Sequence, residues 1–180
     1  NGNPVGITAI EMGAFREVRQ IHLIAPDIGY AGKYIVPERL NKMTAPWRAL
    51  FVGGGPLESA LRRWAARYGQ NIRIVTGVQH DQVPAYLNAM DFLCAPSRTT
   101  PKWREQFGRM LIEAMACGVP VVASDSGEIP HVVGDAGKIV GENDEAGWVN
   151  WLHQFLCDKS LRTELARRGL ERARAEYAWP

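Results

Sequence analysis

The stretch Glu105-Gln-Phe-Gly-Arg-Met-Leu-Ile-Glu113, running directly into Ala114-Met-Ala-Cys-Gly-Val-Pro-Val-Val122, decides how this chain folds. Met110, Leu111, Ala114 and Met115 recur at helical spacing and predict a helix over Phe107 to Cys117 with one inward apolar face. Gly118 ends that helix, and Val119–Ala123 follows as a short apolar run that reads as a buried strand. Helix and buried strand in this order belong to a parallel sheet with helices on its faces. Two carboxylates frame the segment, Glu105 in the loop before the helix and Glu113 about two turns inside it. Between them Phe107-Gly108 leaves backbone N–H groups free to point at an anion.

Outward from this stretch the same alternation continues. Ile28–Ala31, Ala49–Val52, Ile72–Val75, Phe92–Ala95, Val119–Ala123 and Lys138–Val140 are the expected strands. Their Val, Ile and Phe content without alternation suits strands covered on both faces. The expected fold is α/β, a Rossmann-like parallel sheet of about six strands flanked by helices, over residues 28–180. Asn1 to Asp27 is weakly patterned and reads as linker plus one strand, Gln20–Ile24. Between the strands at Ile28 and Ala49 only Glu38 to Ala45, bracketed by Pro37 and Pro46, can be helical, which makes a short crossover.

The helices are punctuated by their ends. Pro56 suits a first turn, and Leu57, Leu61, Trp64 and Tyr68 form a stripe that Gly69 closes. Asp81 is placed to cap a helix to Met90, Asp144 one to Cys157, and Ser160 one to about Tyr177.

Composition narrows the function classes. The 180 residues carry 21 basic and 19 acidic side chains, a net charge of +2 that offers no field for nucleic acid. Cys94, Cys117 and Cys157 have no metal-ligand spacing and sit in apolar stretches, as small core residues of a reducing compartment do. The four histidines have no mutual spacing for a metal or a nucleophilic triad. No apolar run reaches membrane-spanning length, and the polar residues at the start do not read as a signal peptide.

Gly53-Gly54-Gly55-Pro56 lacks the third glycine of a dinucleotide fingerprint, since Glu58 stands there, and it lacks a P-loop lysine, so it is a tight strand-to-helix turn. Glu113 lies among apolar residues, and a partly buried carboxylate needs donors that ligand hydroxyls could supply. Glu105 alone could equally complement the helix dipole. As a spaced pair the two favour a ligand site. Arg98, Lys102 and Arg104 lie in a polar loop beside the proposed diphosphate, and Trp103 could stack on a sugar, meet a partner domain or anchor the loop. Lys33 and Arg39 follow the expected first strand, where ligands of doubly wound sheets bind. Asp125-Ser-Gly-Glu-Ile-Pro130 forms a loop at the same edge.

Val36-Pro-Glu-Arg39, Val52-Gly-Gly-Gly-Pro56, Ala95-Pro-Ser-Arg98, Glu105 to Val122, Gly127-Glu-Ile-Pro130 and Gly134-Asp-Ala-Gly137 occur in order. Together they resemble the C-terminal half of the retaining glycosyltransferases of family 4, also called group 1, with the two-Rossmann GT-B architecture. The resemblance implies a half that binds a nucleotide-sugar donor, UDP-, GDP- or ADP-linked, with no metal and no other cofactor. It implies that Glu113 holds the ribose hydroxyls and that Glu105, the catalytic candidate, contacts and orients the donor sugar. Phe107 and Gly108 match the segment near sugar and phosphates, Lys33 and Arg39 the basic pair at the leaving diphosphate, and Gly77 and Val78 the loop beside the base. Arg98 and Arg109 complete the expected donor-binding set. The family's basic loop reads Glu-Lys-Gly where this chain reads Glu38-Arg39-Leu40.

The resemblance covers the donor half alone, and these residues, which run to Tyr177-Ala-Trp-Pro180, are expected not to include the acceptor-binding half or the family's helix that crosses back onto it. The chain is therefore expected to bind donor but to transfer sugar weakly or not at all alone, and to need the N-terminal half or a partner chain. A cytoplasmic location is expected, peripheral at the inner membrane face only through the parent enzyme. The alternative is a non-catalytic α/β interaction module that assembles with another chain.

Overall fold

A computed structural model describes residues 20–24, 47–55 and 58–178. Six strands form one sheet: β1 (Gln20–Ile24), β2 (Arg48–Val52), β3 (Ile72–Val75), β4 (Phe92–Ala95), β5 (Val121–Ser124) and β6 (Lys138–Val140). Their order is β3-β2-β1-β4-β5-β6 and every pairing is parallel. This is the doubly wound Rossmann order, in which every carboxyl end lies on one edge and the order reverses between β1 and β4.

The boundary expected at residue 27 cuts this sheet. Gln20–Ile24 pairs with β2 on one side and β4 on the other and is a central strand. Residues 25–47 separate β1 from β2, ample for a parallel connection. Ile28–Ala31 and the proposed helix over Glu38 to Ala45 lie outside the described residues.

Successive residues of a strand point to opposite faces, and here both faces are covered. Phe51, Phe92, Cys94 and Val122 meet Trp148, Leu152 and Phe155 of α5 (Glu145–Cys157), together with Leu61 of α1 (Glu58–Ala65). Leu50, Leu93, Val121 and Ala123 meet α2 (Val83–Leu87), α3 (Arg109–Ala116) and α4 (Ile129–Val133). Trp148, Phe51, Phe92 and Phe155 are fully buried, each contributing roughly 1.5–3 kcal/mol of transfer free energy. Phe92→Ala would cost about 3–5 kcal/mol.

α6 (Lys159–Glu176) packs across α3 at Gly169, where a Cβ would sit 3.1 Å from the Met115 Cγ. A side chain at 169 would therefore require Met115 to give way by a few tenths of an ångström.

Helix ends differ from expectation in detail. Asp144 caps α5 as expected, accepting from the Gly147 amide at 2.8 Å. Asp158 rather than Ser160 caps α6, accepting from the Leu161 amide at 2.9 Å. Before α2 the chain makes a 3₁₀ turn, His80–Gln82, whose start is Gln79 rather than Asp81; the Gln79 amide donates to Gln82 Oε1 at 3.0 Å. The glycine run after β2 is the tight turn expected: the Gly53 amide bonds the Val75 carbonyl at 2.9 Å, and Glu58 bonds Gly55 at 3.0 Å.

Candidate functional site

The loop from β4 to α3 crosses the carboxyl edge and carries Glu105, while Glu113 follows inside α3. Gly108 takes the left-handed conformation (φ 72, ψ 45) that turns the chain into α3. Glu105 folds back on this turn, its Oε1 accepting from the Gly108 amide at 3.0 Å and the Phe107 amide at 3.4 Å. The amides expected to be free for an anion are thus held by Glu105 itself, as an internal carboxylate at the positive end of the helix. This corrects the simplest reading of Phe107-Gly108 and makes Glu105 part of the scaffold of the turn. The Glu105 carbonyl also accepts from the Glu128 amide at 3.1 Å, and a Cβ on Gly127 would lie 1.8 Å from that carbonyl oxygen. Loop and turn therefore fit only with glycine at 127.

Glu113 lies one helical turn after Arg109. Its side chain is only 28% exposed, and its Oε1 accepts from Arg109 Nε at 2.9 Å. Arg109 reaches further: its Nη2 is 2.7 Å from His80 Nε2, in the loop after β3. That loop holds Gly77, left-handed at φ 73, and Val78, packed against the α3 side of the core. The structure so brings Glu113, Arg109 and the Gly77–His80 loop together, with Glu105 and Gly108 at the head of the same helix. His80 is the residue sequence reasoning missed, because only a fold brings it across 29 positions to Arg109.

The other expected residues divide. Arg98 turns toward the loop after β6, its Nη2 3.4 Å from Asn143 Oδ1. Phe107 is exposed and meets Tyr177 edge-on at 6.2 Å, and Trp103 is exposed. Lys33 and Arg39 lie outside the described residues. Behind Glu113, burial raises the Cys117 thiol above its ordinary value, and the Glu113 charge adds to the rise. Among the described residues no cluster of His, Cys, Asp and Glu could hold a metal, and no helix is long and apolar enough to cross a membrane.

This geometry coincides with a family match. The model of the glycosyl transferases group 1 matches residues 30–158. The chain belongs to the group 1 glycosyltransferase family. It is 33% identical over 133 residues to a GDP-mannose-dependent phosphatidylinositol monomannoside mannosyltransferase of Corynebacterium glutamicum, covering 72% of this chain and 35% of that protein. It is 32% identical over 167 residues to a D-inositol 3-phosphate glycosyltransferase of Salinispora arenicola, covering 87% and 36%. Among solved structures, sucrose-phosphate synthase from Thermosynechococcus elongatus superposes with a TM-score of 0.76 at 25% identity, over 95% of this chain and 45% of that one. The C-terminal domain of a group 1 glycosyltransferase from Francisella tularensis superposes with a TM-score of 0.75 at 20% identity, over 94% and 93%. This group 1 chain thus spans about a third of those curated relatives, 35% and 36%, and matches the extent of a C-terminal domain solved alone. The fold is the Rossmann-like half expected of a GT-B glycosyltransferase.

Proposed function

We propose that this chain is the donor-binding half of a retaining, metal-independent glycosyltransferase, with the acceptor held by an N-terminal half or partner chain. The observation that carries the reading is the joining of Glu113, Arg109 and the β3 loop at one end of α3. A carboxylate offers about four lone-pair positions. Arg109 engages Oε1 of Glu113, and a ribose diol would take the remainder. The base would lie against Gly77 and Val78. Glu105, fixed beside Gly108, would orient the sugar, and its hold on that amide leaves the Arg109 and Met110 amides to meet phosphate.

Departure of the diphosphate places negative charge on phosphate and positive charge on the sugar ring. Helix amides and the expected cations Lys33 and Arg39 would stabilise the first, and Glu105 would act mainly by positioning. Relatives crystallised with UDP and UDP-glucose, such as Anabaena HepE (TM-score 0.75, 19% identity), support a nucleotide-sugar ligand. The parent enzyme would work in the cytoplasm, with any membrane contact peripheral and at its inner face.

Saturation-transfer NMR of the chain with UDP-, GDP- and ADP-hexoses, repeated in EDTA, tests this. The expected result is transfer to ribose and base protons of one series, unchanged by the chelator. Silence from all three series, with the chain folded, would instead favour an interaction module. Loss of the signal in EDTA would refute metal independence.

A further inference from the structure

His80 makes a contact that the fold does not need. It opens the 3₁₀ turn after β3, and its imidazole is exposed. Gly77 sets the turn of this loop and Val78 anchors it in the core. The Arg109 guanidinium stands 2.7 Å from His80 Nε2. A guanidinium only donates, so this nitrogen must be the unprotonated acceptor, with the proton on Nδ1. The same guanidinium donates through Nε to Glu113. One cation therefore ties the exposed β3 loop to the carboxylate at the heart of the proposed site. Exposed i,i+4 ion pairs add little to stability, and a neutral imidazole on a surface arginine adds little more. The arrangement has another consequence: it orients the Glu113 carboxylate and links α3 to the loop.

We propose that His80 and Arg109 form a clasp that positions Glu113 and the β3 loop for the nucleoside part of the donor. The proposal rests on the donor-binding reading above. His80 is a positioning residue in it and touches no reacting atom. Because the clasp lies between the ribose carboxylate and the loop wall, it acts on ligands that carry a nucleoside. Diphosphate held at the head of α3 does not depend on it.

The test is calorimetric titration of the full chain, His80→Ala, His80→Gln and Glu113→Ala with nucleoside mono- and diphosphates of U, G and A, and with inorganic pyrophosphate. Glutamine is chosen because its amide oxygen can accept where Nε2 did. His80→Ala is expected to weaken the preferred nucleoside mono- and diphosphates alike, by roughly three- to fivefold, as the loss of a modest positioning contact does. Pyrophosphate should hold within about twofold, and His80→Gln should recover most of the loss. Full nucleotide affinity in His80→Ala, with loss in Glu113→Ala, would overturn the clasp and leave donor binding standing. An equal fall for nucleotides and pyrophosphate would overturn it as a general distortion. No binding by the unaltered chain would overturn both readings. Nitrogen NMR of the nucleotide-free chain gives an independent check: Nε2 of His80 should be unprotonated, and a proton there would contradict the geometry.

Discussion

Acidic side chains stand beside β6 and on α3, and they are used differently. On the β6 side Asp125 accepts from the Glu142 amide at 2.9 Å, and Glu142 accepts from the Thr99 amide at 2.8 Å. Thr99 in turn shares a hydrogen bond with the buried Ser126 at 3.0 Å. These carboxylates bind main-chain N–H groups and lock neighbouring loops together. On the α3 side Glu113 is bound by a flexible arginine through one oxygen, which leaves acceptor capacity for a ligand. Glu105 stands between the two cases, scaffold through Gly108 yet placed at the head of the helix. What a carboxylate binds separates scaffold from site, and residue type alone does not.

Substitutions can break that division, and the largest effect should come where the two regions touch. Gly127 has φ 56, and a side chain there would strike the Glu105 carbonyl. Gly127→Ala should cost about 3 kcal/mol of stability in a denaturant titration, since left-handed strain and a backbone collision act together. A cost under 1 kcal/mol would mean that the loop gives way easily and does not preset Glu105.

Glu113→Ala should lower nucleotide affinity by roughly 1.5–3 kcal/mol while the melting temperature scarcely moves. Glu142→Ala should do the reverse, costing about 1 kcal/mol of stability with nucleotide affinity unchanged. A variant that moved both quantities would erase the contrast drawn between the two sides. The smallest effect should be at Cys117. Burial and then the Glu113 charge raise its thiol, so Glu113→Gln should quicken its alkylation at neutral pH by a few-fold, readable by mass spectrometry. An unchanged rate would show that burial alone governs the thiol.

Much of this was legible in the residues. Runs such as Phe92–Ala95 and Val121–Ser124 are apolar on both faces because both faces are covered, and no polar alternation obscures them. The central strand was harder. Gln20-Ile-His-Leu-Ile24 mixes polar and apolar positions, so its place beside β2 and β4 shows only in the pairing. The strand expected at Ile28–Ala31, which made the crossover short, lies outside the described residues. The places of Glu105 before α3 and of Glu113 inside it were legible from one continuous motif. The Glu105 hold on its own turn was not, since a motif shows spacing and not which acceptor takes which amide. His80 was hidden for a different reason, because a long-range partner leaves no local pattern.

The most direct test of the account is calorimetric titration of the chain with UDP, GDP and ADP, run beside Glu113→Ala and Glu142→Ala. The account predicts that one nucleotide binds, that Glu142→Ala binds it equally well, and that Glu113→Ala loses at least about tenfold. Equal affinity in all three proteins, or no binding by the folded chain, would contradict it.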